Sequence, residues 1–305
     1  MKPSYYVGVS FLKGKIQLAE IEHSKKPTVI ALAERDTTLN FAEAGASLSA
    51  DHPKLGSFAR ELKDLLRQQK VTAEYISFAL PPELVFINII PIDASLSDQD
   101  LPRYLQWEVD QYFPGAPPKE FIIDSHGLPV EKAKAQQTFM VAVHRGMAAF
   151  LQKTVAAINM KLNIVDVDQF STEKTLITNY PEILDHDIVL FGLREGGVDA
   201  SLIHSGEMTD YRSFRYNGES RPEKPILNYL KYLKQRGSSA PAAMLLHGIE
   251  VGKDLVESLR TSTGIKQTLP LNAFRKVMAA EKLYKPFVQE SYRFAAAIGL
   301  ALRTK

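Results

Sequence analysis

Side chains that could do chemistry are scattered along this sequence and form no recognisable motif. Seven histidines occur, at positions 23, 52, 126, 144, 186, 204 and 247, and no two have the spacing of metal ligands on one helix. The chain contains no cysteine, which excludes disulfides, zinc–thiolate centres and thiol nucleophiles. It also lacks the Gly-x-Ser-x-Gly turn of serine esterases and both glycine-rich phosphate-binding motifs. We therefore predict no metal site and no catalytic residue.

Composition indicates an ordinary globular protein. The chain has 305 residues, of which 45% are hydrophobic, and its 37 basic and 35 acidic residues give a net charge of +2. Nucleic-acid binding needs concentrated basic charge, so no nucleic-acid partner is expected. The first residues lack the apolar core of a secretory signal, and no apolar run is long enough to span a bilayer. These features predict a cytoplasmic protein.

One hairpin has the pattern of a phosphate-binding loop without its usual residues. "YYVGVSFLKGKIQLAEIE", from Tyr5 to Glu22, runs from one apolar strand through a short turn into a second. A loop that holds a nucleotide usually contains an aspartate and several glycines, whereas this turn, "SFLKGK", has Gly14 alone. The hairpin therefore raises the question of whether the nucleotide chemistry has been lost.

The elements around this hairpin predict an α/β fold. The first forty residues show three strands, and a helix follows with apolar residues at helical spacing in "FARELKDLLRQQ". A second three-strand pattern starts at Asp187 with "DIVLFGL", "VDASLIH" and "EMTDYRSF". Placing Ser10 over Gly192 superposes the two hairpins. That match fits an internal duplication, but two unrelated meanders would look the same.

Taken in order, these segments resemble the actin-like ATPase superfamily and, within it, the PilM family of type IV pilus assembly proteins. "VGVSFLKGKIQLAEI" matches the family's opening pattern without a gap, and "FAAAIGLALR" is similar to its closing helix. "FALPPELVFINIIPID", followed by "LPRYLQWEVDQYFP", resembles the extra subdomain that the PilM family shares with the division protein FtsA. The resemblance implies an actin-like duplicated fold of two ribonuclease H-like lobes with an inserted subdomain.

The resemblance also implies domain limits. The first lobe would comprise residues 1–77, 160–186 and 286–305. The inserted subdomain would span residues 78–159, and the second lobe residues 187–285.

At the nucleotide positions this sequence departs from the superfamily pattern. In the first phosphate loop the family's aspartate, glycine and lysine fall on Ser10, Leu12 and Gln17. In the second, the family's Asp-Ile-Gly falls on Gly192, Leu193 and Arg194, and the adenosine loop retains Gly248 and Gly252. The resemblance thus implies a degenerate nucleotide cleft at six positions: Ser10, Leu12, Gln17, Gly192, Arg194 and Gly248.

The missing aspartates matter because their carboxylates orient the waters around a magnesium ion. The missing glycines matter because a Cβ blocks the approach of main-chain amides to phosphates. We therefore expect a pseudo-ATPase without a bound ATP or magnesium cofactor, in a cleft that lacks both metal-orienting aspartates. Lys13, Lys15 and Arg194 could still attract a phosphate, or they could be solvated turn residues.

For partners, the resemblance implies an adaptor at the inner membrane. Such a protein would hold the short cytoplasmic tail of a PilN-like bitopic membrane protein and contact other pilus inner-membrane components. The groove would lie between the first lobe and the inserted subdomain, near residues 85–92 and 139–143. Self-association remains open.

Three other functions stay open. An active ATPase or sugar kinase of the same fold would need the two missing aspartates. A membrane-tethered filament protein like FtsA would need an amphipathic tail beyond "GLALRTK", and a type II secretion component would continue into a membrane helix.

Overall fold

The computed structural model describes residues 4–12, 14–93, 95–115, 117–128, 135–216, 221–249 and 251–304. The strands, in chain order, are β1 (Ser4–Leu12), β2 (Lys15–His23), β3 (Thr28–Asp36), β4 (Tyr75–Leu80), β5 (Val85–Asp93), β6 (Phe121–Gly127), β7 (Ala135–His144), β8 (Lys161–Val167), β9 (Ile188–Arg194), β10 (Gly197–His204), β11 (Glu207–Arg215), β12 (Ala243–Gly248), β13 (Gln267–Pro270) and β14 (Met278–Ala279). The helices are α1 (Phe41–Ala44), α2 (Leu55–Gln68), α3 (Leu101–Tyr112), α4 (Arg145–Ala157), α5 (Asp168–Asn179), α6 (Glu223–Gln235), α7 (Lys253–Thr263), α8 (Lys285–Gln289) and α9 (Ala295–Ala301).

The first lobe is built on a six-stranded sheet with the order β14-β3-β2-β1-β4-β8. β1, β2 and β3 are antiparallel neighbours, whereas β4 and β8 run parallel to β1. Side chains alternate between the two faces of a strand. Val7, Val9 and Phe11 of β1 therefore join the core formed with α2 and α4, and Gly8 and Ser10 lie on the opposite face.

The second lobe repeats this strand order. Its five-stranded sheet runs β11-β10-β9-β12-β13, with an antiparallel meander followed by two parallel strands. Ser10 pairs with Gln17 in β2 and with Ala79 in β4. Gly192 pairs with Asp199 in β10 and with His247 in β12. The predicted duplication is therefore confirmed, and Ser10 and Gly192 occupy equivalent positions in the two lobes.

Two helices, α5 and α9, lie between the sheets. Leu300 of α9 packs on Ala79 of the first sheet, and Leu176 of α5 packs on Leu190 of the second. Gly299 permits their close contact, because a Cβ there would lie 1.8 Å from the main-chain oxygen of Ser171. The closing helix is buried along its whole length, as predicted from its small apolar residues. Among the described residues, no helix is long and apolar enough to cross a bilayer.

The inserted unit is a three-stranded antiparallel sheet with the order β5-β7-β6. One face packs against α3 through residues such as Ile90, Leu105 and Met140. The other face contacts the second lobe, where Phe139 packs with Phe170 of α5 and with Tyr211 of β11. The insert therefore touches both lobes.

Three elements pair or pack across the domain limits predicted from the sequence, and the limits themselves stay predictions. β4 crosses the limit at residue 78 and belongs as a whole to the first-lobe sheet. α4 falls inside the predicted insert, but Phe150 and Leu151 pack in the first-lobe core. β14, inside the predicted second lobe, pairs with β3 of the first.

Candidate functional site

The predicted cleft positions lie around one cavity between the two lobes. The residues of the prediction that line it are Ser10, Gln17, Gly192, Arg194 and Gly248. Leu12 ends β1 opposite Lys15, and only its main chain is described. Lys13 lies outside the described residues. The cavity has a volume of about 120 Å³, whereas pockets for drug-sized ligands usually measure about 300–1,000 Å³.

A hydrogen-bond network centred on Glu34 fills the first-lobe side of the cavity. The hydroxyl of Ser10 donates to Gln17 Oε1 at 3.4 Å, and Gln17 Nε2 donates to Glu34 Oε2 at 2.9 Å. Lys15 Nζ and Arg293 Nη2 also contact Glu34, at 2.9 and 2.7 Å. Burial opposes ionisation of Glu34, but the hydrogen bonds from Lys15 and Gln17 and the charge of Arg293 lower its pKa overall. Lys15 is therefore bound to a carboxylate and is not a free phosphate ligand.

Arg194 dominates the second-lobe side. Its Nε donates to Asp199 Oδ2 at 2.9 Å, and its Nη1 forms an ion pair with Glu83. Glu83 lies in the turn between β4 and β5, so this pair joins the first lobe to the second. Only 15% of the Arg194 side chain is exposed. Gly197 is required beside it, because a Cβ there would lie 2.3 Å from Arg194 Nη1.

Gly192, the position of the second family aspartate, has no room for a side chain. A Cβ there would lie 2.7 Å from both Gln169 Oε1 and His247 Nε2. These two atoms are 2.8 Å apart, and Gln169 donates from its own Nε2 to Leu190 O and Ser201 Oγ. Gln169 Oε1 must therefore accept a hydrogen bond from the protonated Nε2 of His247. Burial lowers the pKa of His247 to about 3, so the ring is neutral.

The third loop is shaped by Gly248, which ends β12. Its φ is +103°, and a Cβ there would lie 1.9 Å from Leu193 O, so both the backbone conformation and the close approach require glycine. The next residue, Ile249, donates its main-chain N–H to the same Leu193 oxygen at 3.0 Å. Gly252 begins the turn into α7 in an extended conformation with open space around it. Of these two glycines, only Gly248 is demanded by the local geometry.

The cavity does contain acidic side chains, at positions outside the family pattern. Glu83, Asp168, Glu195 and Asp199 all line the cavity, although none occupies a family aspartate position. Burial, reinforced by the charges of Asp199 and Glu83, raises the pKa of Asp168 well above its usual value, and its buried Oδ1 has no hydrogen-bond partner. Glu83 and Asp199 are both paired with Arg194. Among the described residues, no three His, Asp or Glu side chains group to hold a metal ion.

Sequence reasoning missed these acids because it considered only the family positions. One signal was present, since Asp199 follows Gly192 by the same seven residues that separate Gln17 from Ser10. Asp168 stands where β8 turns into α5, which is also the end of a parallel strand where ligands are often bound. Glu83 carries no comparable signal.

Comparisons with known proteins agree with this architecture. Residues 15–220 match the family model described as "Type IV pilus assembly protein PilM". A solved structure, the "PilM-PilN type IV pilus biogenesis complex", is 19% identical, with 98% of each chain covered and a TM-score of 0.77. A Bacteroides thetaiotaomicron protein with an actin-like ATPase fold and unknown function is 11% identical, covering 88% of this chain and 91% of that one, with a TM-score of 0.52. A search of curated proteins gave no match.

The family model covers about two thirds of the sequence, and the solved structures share the two-lobed fold over nearly its whole length. Both findings agree with the repeated sheets and the inserted three-stranded unit. The chain is therefore a member of the PilM family of type IV pilus assembly proteins, with an actin-like fold.

Proposed function

We propose that this protein is a non-catalytic adaptor of type IV pilus assembly whose interlobe cleft is closed by its own side chains. The observation that carries the proposal is Arg194, which pairs with Glu83 of one lobe and Asp199 of the other. Arg194 lines the cavity and belongs to the segment that the superfamily resemblance assigns to the second phosphate loop. The positive charge that joins the lobes is thus the side chain of Arg194 itself.

Binding of MgATP would have to dismantle this arrangement. Phosphates could reach Arg194 only in competition with two carboxylates, and opening the pair would leave buried charges without partners. The residues that replace the family aspartates offer no substitute, because Ser10 bonds to Gln17 and Gly192 is closed by His247. The small cavity adds a steric argument to the electrostatic one.

Isothermal titration with MgATP tests the absence of nucleotide binding. We expect no binding heat up to millimolar nucleotide, and no change in the thermal unfolding midpoint under the same conditions. Micromolar affinity would refute the proposal and favour the alternative of an ATP-binding protein of the same fold.

The proposed partner is a PilN-like membrane protein whose cytoplasmic tail docks between the insert and the first lobe. Family membership supports this, as does the likeness to a structure described as a PilM–PilN complex. The chain would then be held at the inner membrane through that partner, together with other pilus components.

The seam between β6 and β8 suits such a tail. β8 ends the first-lobe sheet, and Ile122 of β6 is 39% exposed, opposite Val143 of β7. Asp124 lies two residues further along β6 and is exposed. Cytoplasmic tails next to a membrane helix are rich in Lys and Arg. An apolar residue with a neighbouring exposed carboxylate therefore fits the chemistry of such a segment.

A synthetic peptide of a PilN-like cytoplasmic tail tests this docking by fluorescence anisotropy. We expect Ile122→Asn to weaken binding about tenfold, since it removes an apolar contact worth roughly 1–3 kcal/mol. The matched control is Leu227→Asn on α6, because Leu227 is 37% exposed but lies on the second lobe. Equal loss in both variants, or no binding by the unchanged protein at high micromolar peptide, would count against the adaptor.

A further inference from the structure

A second groove separates the insert from the second lobe, away from the cleft. Its volume is about 600 Å³. One wall is the stretch Ile87–Ile89 of β5, and the other is Thr209–Arg212 of β11 with Tyr232 of α6 and Arg236, the residue that follows α6. Neighbouring strands in a sheet lie ~4.8 Å apart, packed sheets lie ~10 Å apart, and each residue of a strand adds ~3.3 Å of length. The product of these three spacings is the volume that one residue of extended chain occupies, ~160 Å³. The groove therefore has room for about four residues of extended peptide.

Both walls are sheet edges. β5 ends the three-stranded sheet and β11 ends the five-stranded sheet, and neither has a further strand beside it within the described part of the chain. Pro91 of β5 has no main-chain N–H, which is tolerated in a sheet only on an open edge. The N–H of Ile89, two residues earlier, donates to the side chain of its neighbour Asn88 at 3.0 Å. Residues 85–89 therefore present an edge that another strand can pair with.

The wall opposite β5 carries two arginines. Arg212 stacks over the Tyr232 ring at 3.6 Å, and Arg236 Nη1 contacts the hydroxyl of the same tyrosine. Both are held near the buried Asp210, with N···O distances of 3.9 and 3.5 Å, and their side chains remain 45% and 58% exposed. Tyr229 also donates to Asp210, at 2.9 Å. Two fixed guanidiniums thus share one carboxylate, which leaves a net positive charge beside an open strand edge.

We propose that this groove binds an extended acidic peptide segment of another protein, which adds a strand to β5 and pairs its carboxylates with Arg212 and Arg236. Strand addition supplies main-chain hydrogen bonds, and side-chain contacts supply the specificity. Arginine is suited to carboxylates because its planar fork can bond both oxygens. The apolar side chains of Ile87 and Ile89 flank the path. This site lies apart from the β6–β8 seam proposed for the tail, although the family resemblance implied a tail groove that includes residues 85–92.

Selection from a random-peptide phage library on the full-length protein tests the proposal and requires no identified partner. Selected peptides are synthesised, and their affinities are measured for the unchanged protein and for Arg212→Gln and Arg236→Gln. Lys231→Gln is the matched control. Lys231 is an exposed cation on α6, the helix that ends just before Arg236, and it does not line the groove. Hydrogen exchange of the complex locates the bound segment.

We expect the selected peptides to be enriched in Asp and Glu. Either arginine variant should bind them about tenfold more weakly, because each loses a charge-assisted hydrogen bond, and the lysine variant should bind them unchanged. Residues 85–89 should exchange more slowly in the complex. Failure to select any peptide, selection without acidic enrichment, equal binding to all variants, or protection elsewhere would each overturn the proposal. Competition by inorganic phosphate alone, without protection of β5, would show a simple anion site and would also overturn it.

Discussion

Arg194 of the second lobe forms an ion pair with Glu83 of the first, and the same guanidinium donates to Asp199 of its own lobe at 2.9 Å. The pair connects two sheets that otherwise meet through α5 and α9. Arg194 therefore bridges the two lobes across the cavity.

Arg194→Met should destabilise the protein by about 3–5 kcal/mol, because it leaves Glu83 and Asp199 as unpaired carboxylates in a mostly buried site. Glu83→Gln should cost less, about 1–3 kcal/mol, since Asp199 still neutralises the arginine. Urea denaturation measures both, and small-angle scattering should show a larger radius of gyration for the Arg194 variant if the lobes separate. The control is Arg67→Met, which removes an exposed pair with Asp64 worth under about 1 kcal/mol. Equal losses at positions 67 and 194 would contradict the role of the interlobe pair.

Gly248→Ala should destabilise the protein by about 3 kcal/mol or more, because left-handed strain adds to a collision with the Leu193 oxygen. The matched control is Gly252→Ala, four residues later, where a Cβ meets nothing within 4 Å. We expect that substitution to change stability by less than about 1 kcal/mol. Thermal and urea unfolding of the two variants give the comparison, and similar values for both would refute it.

His247 should make the protein less stable in mild acid. Its pKa is about 3 in the folded protein against 6.5 in a free side chain. As pH falls below 6.5 the unfolded chain gains a proton that the folded chain cannot accept, so the free energy of unfolding falls by about 1.4 kcal/mol per pH unit. Between pH 6.5 and 5 this amounts to about 2 kcal/mol. His247→Gln should remove this part of the pH dependence, whereas the exposed His126→Gln should retain it.

Glu173 of α5 should make the protein less stable as the pH rises, the opposite of the effect of His247. Burial raises its pKa from 4.5 to about 7, although Arg303 and the Met208 N–H lower it. As pH rises from 4.5 to 7, the unfolded chain releases a proton that the folded chain keeps, so stability falls by about 3 kcal/mol over this window and no further above it. Glu173→Gln should therefore lose less stability between pH 5 and 8 than the unchanged protein. An exposed control, Glu281→Gln, should behave like the unchanged protein; identical pH profiles for all three would disprove the assignment.

Local patterns in the sequence were enough to predict the two meanders, the closing helix and the equivalence of Ser10 and Gly192. Such patterns report hydrophobic periodicity and turn residues, which act over a few positions along the chain. These local patterns did not predict how side chains pack against distant parts of the chain. α4 sits within the predicted insert but packs in the first-lobe core through Phe150, and no local pattern distinguishes those two destinations.

The sequence by itself determined what is missing from the cleft, because the residue types at positions 10, 12, 17, 192 and 194 can be read directly. Only the tertiary structure decided what occupies the space. Glu83, Asp168 and Arg194 come from separate stretches of the chain, and they meet because the duplicated sheets direct the ends of their strands toward one another. A charge far away in sequence can pair with a residue or raise its pKa only once folding has brought the two together, so neither the ion pair of Arg194 nor the raised pKa of Asp168 could be derived from spacing.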